Sequence, residues 1–279
     1  MVRANGAAPV SAVPRSVQDV PRMETTTRAP LRERQQGSIL AGSLGLLEPL
    51  ATVVRFEVGE TIYQCKEPAE FWYLILTGVA RKYALAFDGR RQIVDFLLPG
   101  DLFGFGAQAT HQFSAEAIVP GTTVASCPRR DVERLADADP QVARRLRELA
   151  FESISRVQTR VVILGRTSAL EKVSAFLLEM ADRSCAGPTS PVVLPMSRYD
   201  IADYLAMAVE TVSRTLTDLR GRGVIQFGSV RSVQIRNRAA LERISEGPAG
   251  VDHARAHRLR FPVSAAFDAA QAAGSQLRA

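Results

Sequence analysis

Glu210, Thr211, Ser213, Arg214 and Thr217 form the densest group of side chains with specific chemistry in this sequence. Val212, Leu216 and Leu219 lie between them at the three- and four-residue steps of one helix face. A helix that buries those three leaves the polar five pointing outward. Such a set suits the floor of a DNA major groove. Glutamate accepts a hydrogen bond from cytosine N4, arginine grips guanine O6 and N7 together, and serine bonds several bases or a phosphate. The same spacing also suits a solvated i, i+4 ion pair between Glu210 and Arg214. Spacing alone leaves both readings open.

The surrounding elements favour presentation of such a helix. Ser197 can cap a preceding helix, with Asp200 three residues on as a short capping-box partner. Ile201, Ala202 and Leu205 give that helix an inner face, and Ala206–Ala208 make a turn into the second helix. Together these predict a helix-turn-helix at about residues 197–222. Arg198 before the first helix body, and Arg220 and Arg222 at the end of the second, suit phosphates that set register, as do Thr211 and Thr217. Val224–Phe227 and Ser232–Ile235, either side of Gly228-Ser229, predict a β-wing.

Upstream, Pro140–Gly165 is a long helical stretch. Ala150, Ile154, Val157, Val161 and Leu164 follow the 4-3-4-3 rhythm of a coiled-coil seam between charged flanks. That narrow stripe favours pairing with a second copy over packing on the chain's own barrel. Leu170, Val173, Phe176, Leu177 and Met180 mark a further amphipathic helix. Before the long helix, short β-rich runs alternate with turns: Val53–Val58, Thr61–Tyr63, Phe71–Thr77, Val79–Phe87, Gln92–Leu97, Phe113–Val119 and Thr122–Cys127. Asp88-Gly89 between two of them is a strong hairpin signal. Strands at this spacing predict a β-barrel or jelly roll.

The expected organisation is α+β. A disordered leader (1–40) with several prolines precedes a barrel (41–137), a dimerisation helix (138–166), a winged helix-turn-helix (167–245) and a flexible tail (246–279).

Composition narrows the function. The net charge of +6 is carried almost wholly by arginine, with lysine confined to Lys66, Lys82 and Lys172. Arginine suits guanine and phosphate, although a GC-rich genome produces the same bias. The three cysteines, Cys65, Cys127 and Cys185, are scattered without a C-x-x-C pair, which fits a reducing cytoplasm. There is no apolar run of about 18 residues and no signal peptide, so no membrane association is expected. An enzyme is not expected either: no G-x-S-x-G, P-loop or paired-carboxylate constellation appears, and the barrel offers only His111 where a cupin needs a His/His/Glu set.

Met196-Ser-Arg-Tyr-Asp-Ile-Ala-Asp-Tyr-Leu, followed by Val209-Glu-Thr-Val-Ser-Arg214, resembles the helix-turn-helix of FNR and FixK regulators in the CRP/FNR superfamily. Their E-x-x-S-R pattern is met at Glu210, Ser213 and Arg214, and Val209 replaces the arginine that CRP carries before its glutamate. The resemblance spans about residues 44–245. It implies a cyclic-nucleotide-binding-type barrel, a homodimer through residues 140–165, RNA polymerase as a partner, and a palindrome with half-sites like TTGAT. Glu210 and Arg214 would read its G·C pair and Ser213 a T.

The ligand positions depart from the family pattern. In Pro99-Gly-Asp-Leu-Phe-Gly-Phe-Gly-Ala-Gln-Ala-Thr-His-Gln-Phe-Ser114, the residues Gly100, Asp101, Gly104 and Ser114 fit a cAMP pocket. Phe105, however, stands at the ribose-binding glutamate and Phe113 at the phosphate-binding arginine. A cyclic phosphate buried without a cation is costly, so no cAMP is expected. The leader has no cysteines to hold the iron–sulfur cluster of FNR proteins, and His111 reads as a surface loop residue rather than a haem ligand. Cys185 is the thiol best placed for redox chemistry, and Cys127 reads as core. The FixK pattern remains: an effector-independent activator in microaerobic or nitrogen-fixation gene control. A haem-, nitric-oxide- or other ligand-responsive sensor of the same superfamily is the alternative.

Overall fold

The computed structural model describes residues 42–183, 190–229 and 231–247. A 3-10 helix (Gly42–Leu50) leads into strands β1 (Thr52–Phe56), β2 (Thr61–Tyr63), β3 (Phe71–Thr77), β4 (Ala80–Leu85), β5 (Arg91–Leu97), β6 (Leu102–Phe103), β7 (Ser114–Ala117) and β8 (Thr122–Pro128). Helices α1 (Arg129–Ala138), α2 (Pro140–Leu164) and α3 (Ala169–Arg183) follow, then β9 (Val192–Val193), α4 (Arg198–Leu205), α5 (Val209–Gly221), β10 (Ile225–Ser229), β11 (Ser232–Ile235) and α6 (Arg238–Glu246). The leader, most of the tail, and Cys185 lie outside the described residues.

The eight strands of the barrel form two four-stranded antiparallel sheets, ordered β1-β8-β3-β6 and β2-β7-β4-β5. Gly89, at φ +81°, turns β4 into β5 where Asp88-Gly89 predicted a hairpin. Strand alternation sends Tyr63, Ile75, Ala80, Leu97, Phe103, Ala115 and Val124 into the space between the sheets. Tyr73 and Phe103 stack there at 5.4 Å, and Gly104 permits it: at φ +78°, a Cβ on that residue would stand 2.5 Å from the Tyr73 ring.

The outer faces of the two sheets are covered differently. The first packs Leu74, Ala125 and Cys127 against Leu47, Val132, Val142, Leu146 and Leu149 of the helices. The second does not end at a domain boundary. Val79, Ile93, Phe96 and Ile118 share one continuous apolar cluster with Phe176 and Leu177 of α3, Tyr204 and Leu205 of α4, and Val212 of α5.

Helix α2 begins where its sequence says. The Asp139 side chain accepts the Gln141 amide, and Pro140 occupies the first turn. Its first half packs on the chain's own barrel through Val142, Leu146 and Leu149. Farther along the expected seam is bare: Ile154 is 52%, Val157 44% and Val161 64% exposed, flanked by exposed Phe151 and Val162.

Several elements differ from expectation. The 3-10 helix, α1, the two-residue strands β6 and β9, and α6 are additional; α1 is too charged and short to show a periodic stripe. The strand expected over Val79–Phe87 contracts to β4, leaving Leu85 and Phe87 exposed at the hairpin. His111 is no surface residue. It is 6% exposed and stacks on Tyr63 with ring centres 3.8 Å apart.

Candidate nucleic-acid interface

Helix α4 opens with the expected capping box. Ser197 Oγ accepts the Asp200 amide at 3.1 Å, and Asp200 Oδ2 accepts the Ser197 amide at 3.0 Å. It closes at Ala206, a non-glycine residue in the left-handed conformation (φ 51°, ψ 54°) that redirects the chain into α5. Ile201, Ala202 and Leu205 are buried against Val212, Leu216 and Leu219, so the turn is clamped between two apolar faces.

On α5, Glu210, Ser213, Arg214 and Thr217 are exposed, and Thr211 is half-buried. No ion pair joins Glu210 to Arg214 among the described contacts, so both ends of that spacing are free to reach outward. The Thr217 hydroxyl donates back to the Ser213 carbonyl at 3.0 Å, and Thr215 does the same to Thr211 at 2.8 Å. The Thr217 proton is therefore held within the helix.

The expected phosphate-holding arginines are ordered in two ways. Arg198 and Arg220 lie over the Phe227 ring of β10, with guanidinium carbons 5.7 and 5.5 Å from its centre. One ring thus aligns cations from both helices. Arg222 instead forms a two-bond pair with Asp218, at 2.9 Å for each bond. The i, i+4 spacing of Asp218 and Arg222 is a signal for the second arrangement, whereas nothing in the spacing points to the first, because Phe227 reads as an ordinary wing residue.

The interface is also tied to the barrel. Asp200 Oδ1 accepts from Arg81 Nη1 at 2.5 Å and from Arg91 Nη2 at 2.9 Å. Arg91 Nε reaches Asp203 Oδ2 at 3.0 Å, and Gln92 Nε2 donates to the Asp203 carbonyl at 2.5 Å. Farther back, Arg183 of α3 bonds Asp101 at 2.6 Å and the Phe96 carbonyl at 2.7 Å, while Tyr204 bonds Glu179 at 3.0 Å. Burial pushes the Tyr204 hydroxyl and the Glu179 carboxyl above their ordinary values.

Two families match this chain in register with its architecture. The cyclic nucleotide-binding domain covers residues 53–139, and the Crp-like helix-turn-helix domain covers residues 171–244. The nitrogen fixation regulation protein FixK of Bradyrhizobium diazoefficiens is 45% identical over 190 residues, spanning 67% of this chain and 80% of that protein. FixK of Rhizobium meliloti is 38% identical over 192 residues, spanning 69% and 86%. The chain belongs to the CRP/FNR family.

Within that CRP/FNR family it is FixK-like, a regulator with a DNA-binding helix-turn-helix and no enzymatic role. The solved structure of FixK2 from Bradyrhizobium japonicum superposes with a TM-score of 0.64 at 42% identity, over 69% of this chain and 96% of that one.

The residues that the sequence sets against a cyclic-nucleotide pocket make their contacts within the chain. Phe105 packs against Trp72, ring centres 5.8 Å apart, on the helix-covered side of the first sheet. Phe113 lies under Lys82, whose Nζ is 5.9 Å from the ring centre and whose pKa burial pulls down. Ser114 Oγ accepts the Cys65 amide at 3.0 Å. Asp101, which the nucleotide pattern shares, is taken by Arg183 and by Arg156 at 3.3 Å. Cys127 is buried, and burial pushes its thiol up to about 11.

Proposed function

We propose that this CRP/FNR regulator binds, as a homodimer and without a small-molecule effector, a two-fold symmetric DNA site with half-sites like TTGAT. Glu210 and Arg214 read the G·C pair and Ser213 a T. Arg198, Thr211, Thr217, Arg220 and Arg222 hold the backbone, Arg222 exchanging Asp218, and the Thr217 hydroxyl the Ser213 carbonyl, for phosphate. The observation that carries this reading is the unpaired presentation of Glu210, Ser213 and Arg214 along one exposed face of α5.

The bare apolar stripe Ile154–Val157–Val161 supports a second copy as its cover, because an exposed ridge of this kind is costly on an isolated helix. Pairing along it spaces two α5 helices for half-sites one helical turn apart. The barrel residues do not fit a cyclic nucleotide: Phe105 and Phe113 replace the ribose and phosphate ligands, and Ser114 and Asp101 are engaged within the protein. A ligand-free barrel moves control to synthesis of the protein itself. Neither an iron–sulfur cluster nor a haem has a role in this reading. RNA polymerase is the second partner, and the cytoplasm the compartment. The names of the FixK relatives support a role in nitrogen-fixation gene control, and that of AadR of Rhodopseudomonas palustris, a transcriptional activatory protein, supports a role as an activator; we extend the role to microaerobic genes.

The test is a gel shift on a TTGAT-N4-ATCAA duplex, in air, with no ligand. Nanomolar binding is expected. Binding that appears only after adding cAMP, or only after anaerobic reconstitution, overturns the effector-independent reading.

A further inference from the structure

The apolar contact between the barrel's second sheet and the helices α3 and α4 holds the two together but carries little direction. Hydrophobic burial is proportional to area and tolerates small rotations, whereas charge-assisted hydrogen bonds do not. The direction at this joint comes from a compact polar set beside it. Arg81 is held from the barrel side by Glu116 of neighbouring β7 at 2.8 Å, so its second amino group is aimed at Asp200. Arg91 spans Asp200 and Asp203 at 2.9 Å each. Asp200 is 6% exposed and divides its oxygens: Oδ2 caps α4, and Oδ1 takes both barrel guanidiniums. The first turn of α4 is therefore fixed to β4 and β5, and α4 passes its orientation to α5 through Ile201, Leu205, Val212 and Leu216.

We propose that Arg81 and Arg91 are positioning residues of the DNA-reading helix: by gripping Asp200 and Asp203 they set the angle at which α5 is presented. The proposal rests on the reading of α5 as the DNA-contacting helix of a symmetric pair. In such a pair, one added base pair moves a half-site about 3.4 Å along the axis and turns it around the duplex. A rigidly set α5 rejects that change, whereas a loosened one follows it.

The experiment compares full-length wild type with Arg81→Gln/Arg91→Gln on TTGAT palindromes with N3, N4 and N5 spacers. Wild type is expected to prefer N4 by about tenfold or more, and the variant to bind all three within about threefold. Discrimination between TTGAT and a scrambled half-site stays at the wild-type level, which mere unfolding would not allow. Arg91→Gln alone, at the more exposed position, gives an intermediate preference and serves if the double variant misfolds. Hydrogen exchange without DNA gives a second readout: amides of α4 and the β4–β5 hairpin exchange faster in both variants. A folded variant with wild-type spacing preference and unchanged exchange overturns the proposal. If wild type binds none of the three duplexes, the DNA reading fails instead, and exchange alone judges the grip.

Discussion

The Arg160 guanidinium lies 4.0 Å from the centre of the Tyr204 ring and donates at 2.9 Å to the carbonyl oxygen of the same residue. Its other amino group donates to the Val94 carbonyl at 2.5 Å. One side chain of α2 thus bridges a barrel strand and the first helix of the helix-turn-helix. Burial draws its pKa down, yet Asp95 and Glu179 nearby oppose that. Arg160→Leu strips two carbonyls of their partner and is expected to lower stability by about 2–4 kcal/mol, read from urea unfolding. Arg160→Lys recovers only part, because an ammonium cannot fork to both oxygens.

Arg214→Ala tests base reading. The loss is expected at the G·C position alone, about 1–3 kcal/mol of discrimination, while weak, salt-sensitive binding to any duplex persists. Competition gel shifts with single-base operator variants measure it. Undiminished discrimination would reassign the reading helix.

Val157→Glu tests the bare stripe. Val157 is 44% exposed in the single chain, so the substitution costs the isolated fold little, within about 0.5 kcal/mol. Sedimentation velocity at micromolar concentration is expected to show a dimer for wild type and a monomer for the variant. A dimeric variant would locate the pairing surface elsewhere.

Ala206 carries a backbone conformation that favours glycine. It is exposed, so no side-chain packing is lost on substitution. Ala206→Gly is expected to stabilise the fold by up to about 1 kcal/mol, raising the thermal midpoint by a few degrees. A lower midpoint would show that the glycine's extra unfolded-state freedom outweighs the relieved strain.

His111 gives a pH dependence. Burial lowers its pKa, with Glu67 opposing, so the folded protein keeps it neutral where the unfolded chain protonates it. The stabilisation is complete above the ordinary histidine value near 6.5 and is lost as pH falls through the lower folded value. Thermal midpoints at pH 7.5 and 5.5 should therefore differ more for wild type than for His111→Phe, which keeps the ring stack on Tyr63. Equal differences would mean that other groups carry the dependence.

What the sequence discloses follows from the range of the interactions. Helix α5 was legible because Val212, Leu216 and Leu219 repeat within one element, and Ser197 with Asp200 marks the start of α4 three residues apart. The grip of Arg81 and Arg91 on Asp200 and Asp203 was not. Those partners lie more than a hundred positions apart and belong to residue types that usually face water. His111 misled for a related reason: its burial depends on Tyr63 and Tyr73, which come from two other strands. Helix α1 was missed because Val132 is its only buried residue.

The core that runs unbroken from Phe96 of the barrel to Phe176, Leu177 and Tyr204 has a practical corollary for anyone cutting this chain. A C-terminal fragment that begins at α3 and lacks the barrel would bring those three large side chains into solvent, along with Arg183 stripped of Asp95, Asp101 and the Phe96 carbonyl. Such a fragment should clump and not bind DNA cleanly. The barrel is, in this protein, the other half of a shared interior.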